Sequence, residues 1–242
     1  GGGITDSGVL AITNGATFKV AGGQSIILDQ SSTFSSTVTF TPSSGTIAAV
    51  TINDSNTFDI KALTLTGALS VTAGGAITES GDLSIGGITT LEAGSGNNIT
   101  LDRTGNDFQA AVQITSGNNV TLVDAGAIDL GASTVSGTYA VTATAGGDIT
   151  DSGVLAITNG ATFTAAGGQS ILLDQSSTFS STVTFTPSSG NLKNVTISDS
   201  TALDLAALTL AKVAGAGGDL TVTAGGAVTD SGTLVIPGTT TI

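Results

Sequence analysis

The chain has 242 residues, enough for one or two ordinary domains, with 18 acidic against 5 basic side chains and a net charge of −13. Five scattered Lys and Arg residues cannot form the basic stripe that neutralises phosphates, which argues against nucleic acid and anionic membrane surfaces as partners, and with no run of 18 apolar residues no membrane insertion by a helix is expected. There is no Cys and no His, which removes disulfides, thiolate metal sites and an imidazole base; a charged fraction of 10% with mean hydropathy +0.40 argues against disorder, and the 35 glycines follow no three-residue collagen period.

Residues 1–45 and 146–190 are nearly the same text, differing at Gly3 for Asp148, Lys19 for Thr164, Val20 for Ala165 and Ile27 for Leu172. Looser copies open at Ile77 (ITESGDLSI) and Val228 (VTDSGTLVI). Repetition on this scale decides the fold before any local reading does. In chain order, what recurs is a short β-branched run followed by a turn of Gly, Asn, Asp or Ser, with almost no helical periodicity. After Ile4 the pattern predicts strands at 10–12, 18–20, 26–28, 38–40, 50–52, 58–60, 63–65 and 69–72. A polar or Gly corner followed by Ile or Val marks coil starts at Ile4, Ile26, Val50, Ile77, Ile99, Val120, Ile149, Ile171, Val195 and Val228. These starts predict nine to ten coils of 21–33 residues, three per superrepeat, with superrepeats at about 4–76, 77–148 and 149–227 and a fourth opening at 228. Hairpin signals are confined to Asn14-Gly15 and Asn159-Gly160, which favours a solenoid over a sandwich. The expectation is one all-β, right-handed parallel β-helix over residues 1–242, part of a longer chain, on the order of 45 Å long at about 4.8 Å per coil.

Alternation supplies the inside. In Val38-Thr39-Phe40-Thr41, Val and Phe point one way and the threonines the other. Phe18, Phe34, Phe40, Phe58, Phe108, Phe163, Phe179 and Phe185 are therefore expected to fill the core. With Tyr139 as the sole remaining aromatic, few rings are left to stack on sugars.

The segments ITDSGVLAIT, GNNVTLVDAGAIDLGASTVSG (117–137) and LTVTAGG (220–226) resemble the repeats of filamentous-haemagglutinin-like adhesins of two-partner secretion and of related autotransporter passengers. The resemblance implies a right-handed parallel β-helix and export to the extracellular space or bacterial cell surface. It also implies a non-catalytic structural shaft serving adhesion or biofilm contact. The implied partners are neighbouring repeats, copies of the chain joined end to end or laterally, and host or cell-surface glycans or proteins. The alternative is a glycan-binding module presenting an exposed Ser/Thr/Asn face; a polysaccharide lyase is the weakest of the three readings.

Several polar groups are candidate sites. The Asp of TDSG (Asp6, Asp151, Asp230) and the Glu of TESG (Glu79) recur at one expected corner and could offer oxygen ligands to Ca²⁺. Three coils apart, at about 14 Å, they would not share an ion, and a turn in which the side chain caps its own backbone accounts for them. Asp102, Arg103 and Asp107 form the one dense charged patch, read as a contact site or a local ion pair. Thr37-Val38-Thr39, Thr182-Val183-Thr184 and Thr221-Val222-Thr223 would suit a flat ice-binding face if they fell on successive coils, but are spaced here once per three. The sequon asparagines Asn53, Asn98, Asn119 and Asn194 read as corner residues. TPSSG, at 41–45 and 186–190, places Pro42, Ser43, Ser44 and Pro187, Ser188, Ser189 in protruding contact loops. No catalytic, metal or cofactor residues are assigned, and no cofactor is called for. An enzyme would need a break in the repeat, for which the long stretches 120–148 and 195–227 are the candidates.

Overall fold

A computed structural model describes residues 2–242. The chain forms short strands and turns with no helix, and every ladder between named strands is parallel, joining each strand to its counterpart one coil away. Twelve strands, from Ile4–Thr5 through Ile26–Phe34, Val50–Asp54 and onward to Thr240–Thr241, build one long face, which gives eleven turns. The turns differ in length: a short one carries Val112 to its neighbour Leu130, and a longer one carries Val195 to Leu220. At about 4.8 Å per turn the rod is roughly 53 Å long.

A second long face runs from Phe58–Ile60 through Ile77–Glu79, Ile99–Leu101, Val120–Asp124 and Tyr139–Ala143 to Val228–Asp230. Its first two strands, Ala16–Val20 and Val38–Pro42, form a separate two-stranded piece. Two short sides close the cross-section. On one, Ala11–Ile12 and Leu155–Ile157 pair with the ends of longer first-face strands. On the other, Leu63–Leu65, Leu83–Ile85 and Asp107–Phe108 stack, and further on Leu208–Thr209 pairs with Leu234–Val235.

This arrangement corrects the expected phase. Ile77, Ile99, Val120 and Val228 lie on the second face, whereas Ile4, Ile26, Val50, Ile149, Ile171 and Val195 lie on the first. The motif opening at Ile4 reappears at Ile77 on the opposite face, at Ile149 on the original face and at Val228 on the opposite one again. A superrepeat is therefore three and a half turns rather than three, and the coil count is eleven rather than nine to ten. The reason is physical: a polar corner followed by a buried β-branched residue is what any strand entering this core requires, whichever face it joins. The cross-section is close to two-fold symmetric, with two long faces and two short sides, so the same text fits after half a turn.

The core is a set of stacked apolar columns. Ile26, Val50 and Leu69 follow one another on the first face, as do Ile77, Ile99 and Val120 on the second, all at 1% exposure or less. The phenylalanines fall where alternation placed them: six are buried, and Phe18 and Phe40 pack half-buried against the core. The two near-identical blocks repeat one aromatic geometry. Phe18 stacks on Phe40 at 6.0 Å, and Phe163 stacks on Phe185 at 5.9 Å. The second stack is enclosed by Tyr139 and Phe179, each edge-on to Phe163. Phe163→Ala should cost about 3–5 kcal/mol in denaturant unfolding. Phe18→Ala, the same letter in the same text, should cost less, because its site is already half-exposed; equal losses would show that burial does not set the cost.

Candidate functional site

Most strands stack in regular register, but the corners differ in length and four ladders shift register, and polar side chains take up the difference. Asn98 Oδ1 accepts from the Asn119 backbone N–H at 3.2 Å, and Asn119 Oδ1 from that of Thr138 at 3.0 Å. Asp148 Oδ1 accepts from Ser170 N at 2.7 Å, Asn194 Oδ1 from Asp219 N at 3.1 Å, and Asp219 Oδ1 from Thr239 N at 2.7 Å. In each case a carboxylate or amide on one coil satisfies a backbone donor on the next. Three of the sequon asparagines thus belong to a vertical ladder. The fourth, Asn53, donates from Nδ2 to Asp29 O at 3.4 Å.

The TDSG and TESG acids do the same rather than capping their own turns. Asp6 Oδ1 accepts from Asp29 N at 3.2 Å, Asp151 Oδ1 from Asp174 N at 2.9 Å, and Glu79 Oε1 from Arg103 N at 2.7 Å. Asp230 sits exposed in the last coil. Because the motif alternates between faces, these acids form no column, and among the described residues no group of three or more His, Cys, Asp or Glu gathers as a metal site.

A second family of acids carries no mark in the sequence comparable to TDSG. Asp54, Asp124 and Asp199 end the strands VTIND, VTLVD and VTISD and are essentially fully buried. Each turns its carboxylate back onto the chain. Asp54 Oδ1 accepts from Asn56 N at 3.0 Å and Phe34 N at 3.2 Å, and Asp199 Oδ1 from Thr201 N at 2.8 Å. Asp124 accepts from Gly126 N at 2.6 Å and Phe108 N at 2.7 Å. Their shared text, a Val-Thr start and an Asp end recurring once per superrepeat, was the available signal. Asp54→Ala would leave the buried Phe34 N–H without its partner, at about 1–3 kcal/mol, and free the part-buried Asn56 N–H to water. Chemical denaturation should show a loss of that order, and a loss below about 0.5 kcal/mol would show that water replaces the carboxylate.

The charged patch is assembled differently from its sequence order. Arg103 Nε pairs with Asp82 Oδ1 on the coil before it at 2.6 Å, not with Asp102 or Asp107. Asp107 accepts instead from Gln109 Nε2 at 2.8 Å. Asn106, fully buried, donates to Glu79 Oε1 at 2.9 Å and accepts from Leu83 N at 3.0 Å, anchoring the patch to the coil before it. The TPSSG corners are exposed from Pro42 and Ser188 onward, yet held close. Ser43 N donates to Val20 O at 2.6 Å, Ser188 N donates to Ala165 O at 2.9 Å, and Pro42 and Pro187 end strands paired with the preceding coil. A Cβ at Gly22 or Gly167 would run into the Ser44 or Ser189 carbonyl oxygen, so only glycine lets these corners nest. Threonine is more regularly placed than its Thr-x-Thr spacing indicated: Thr162 and Thr164 lie in register beside Thr184 and Thr186 on the adjacent coil. Among the described residues no aromatic ring is exposed.

Burial raises the carboxyls of Asp54, Glu79 and Asp124 above their ordinary value, and that of Asp151 from 3.8 to about 6. An acid whose folded pKa lies above its unfolded one holds its proton more tightly when folded. The corresponding stability is fully present below about pH 4 and is lost as pH rises through about 6. Thermal unfolding should therefore show a higher Tm near pH 4 than near pH 7. Asp151→Asn, which keeps the Oδ1 acceptor, should flatten that slope; a Tm that climbs between pH 4 and 7 would contradict the assignment.

No curated protein and no solved structure matches the chain. A family model described as "Repeats of unknown function (DUF5649)" matches residues 47–115, 117–186 and 192–242. Each match begins one three-and-a-half-turn unit of the rod after the one before it. With most of its length covered by three consecutive copies, the chain belongs to this family of repeats.

Proposed function

We propose that the chain is a non-catalytic shaft segment of a secreted bacterial surface adhesin or extracellular filament, holding contact-making regions away from the cell. The observation that carries this reading is the unbroken first-face ladder, which joins twelve strands over eleven turns with a continuous apolar core beneath it. Such a stack gives stiffness, and its reach is set by the number of turns. The resemblance to adhesin repeats supports surface placement, and the net charge of −13 favours a solvated, self-repelling rod. Buried aromatics leave an extended glycan chain without stacking platforms along the shaft.

Electron microscopy of the purified chain should show rods of roughly 53 Å, and inserting a second copy of residues 1–145, seven turns, should lengthen them by about 34 Å at about 4.8 Å per turn. Compact particles, or no lengthening, would remove the shaft reading. Immunogold labelling of the source cells should place the chain outside the cell envelope, and label confined to the cytoplasm would remove the adhesin assignment.

A further inference from the structure

The two near-identical blocks differ at one junction. In the second block Thr182 Oγ1 donates to Asp204 Oδ2 at 2.7 Å, Ala206 N donates to Val183 O at 2.9 Å, and Val183 pairs with Leu205, so the second face continues across the joint. In the first block the equivalent strands Val38–Pro42 and Phe58–Ile60 belong to separate sheets. Asp59, the counterpart of Asp204, points elsewhere: its Oδ2 accepts from Lys61 Nζ at 2.6 Å and from Ser80 Oγ at 2.8 Å. The residue in the place of Lys61 in the second block is Ala206. Lys61, together with Thr57 and Phe58 in the places of Ala202 and Leu203, distinguishes the open joint from the closed one.

What remains is a notch of about 210 Å³ in the side of the rod, lined among others by Thr37, Asp54, Thr57, Phe58, Asp59 and Thr78. The second block shows what closure does to the same groups: Asp199, the counterpart of Asp54, keeps one buried carboxylate oxygen with no partner. The notch is rich in hydroxyls and backbone groups. Asp59 is neutralised by Lys61, and the Asp54 carboxylate already accepts two backbone donors. A free anion would meet the Asp54 and Asp59 carboxylates, and a free cation would have to displace the Lys61 ammonium from Asp59, so the chemistry favours a small neutral polyol. The volume lies below the roughly 300–1,000 Å³ of drug-sized pockets and suits one ring rather than a chain.

We propose that this notch is a binding site for a single neutral sugar residue, held open by the Lys61–Asp59 ion pair and present in the first block but not in the second. The site stands apart from the shaft reading, since a rod with or without it would have the same length.

The test is saturation-transfer NMR on the full chain with methyl glycosides of the common hexoses and N-acetylhexosamines at millimolar concentration. At least one glycoside should bind. Lys61→Ala, which lets Asp59 turn to Thr37 as Asp204 turns to Thr182, should weaken it about tenfold, as should Thr57→Val, which removes a lining hydroxyl without touching the ion pair. The double change Leu203→Phe with Ala206→Lys should open the second joint and raise the stoichiometry toward two. Circular dichroism and Tm confirm folding of each variant. Absence of binding by every glycoside, or affinity unchanged in both Lys61→Ala and Thr57→Val, would overturn the proposal.

Discussion

The backbone N–H and C=O groups of the strands in a parallel coil point along the rod axis, so each coil must offer the next a row of partners. That constraint governs the rest of the molecule. Strands meet it automatically, whereas corners of unequal length do not. At shifts such as that between Leu28 and Ser32, or between Leu173 and Ser177, a buried serine hydroxyl takes over, Ser32 accepting from Leu10 N at 3.0 Å and Ser177 from Leu155 N at 2.9 Å. Asp and Asn do the same at the other corners. The polar residues of this chain serve chiefly to complete the ladder where the backbone cannot.

The acidity takes on a double character in this light. The acids are placed as acceptors for N–H groups, which explains why carboxylates outnumber amines without forming a binding patch. Two exposed ion pairs, Lys61 with Asp59 and Arg103 with Asp82, are found among the described residues, and pairs of this kind add at most about 1 kcal/mol each. Stability therefore rests on the columns of Ile, Leu, Val and Phe and on the ladder. Mutual repulsion among the remaining acids opposes lateral clumping of a β-rich chain.

The fold was legible because its signals are local and repeated: alternation located Phe163 and Val38, and the recurring turn text pointed to a solenoid. The phase was not legible. Ile77 and Ile4 carry the same motif, and nothing in either stretch states which face it joins; that information lies in the summed length of the corners between them. The same limit hid the regular Thr162–Thr184 pairing and set the TDSG acids in a column that does not exist. Asp54, Asp124 and Asp199 escaped attention because an Asp at a strand end reads as an ordinary turn residue, and burial of its carboxylate depends on the coil stacked against it. The notch beside Thr37 was beyond reach for the same reason. It depends on whether Asp59 turns toward Lys61 or toward Thr37, which lies a full turn of the rod earlier in the chain.

The half-turn relation between superrepeats bears on how such a gene can grow. Copying one superrepeat would set all the following text on the opposite face, where the corner acids meet neighbours of a different history. Copying two restores both the face and the contacts. The closest match within this chain is between residues 1–45 and 146–190, two superrepeats apart and identical at all but four positions, whereas the copies one superrepeat apart have drifted. Recombination between blocks seven turns apart leaves the stack in phase, so descendants of this rod should differ in length by paired units.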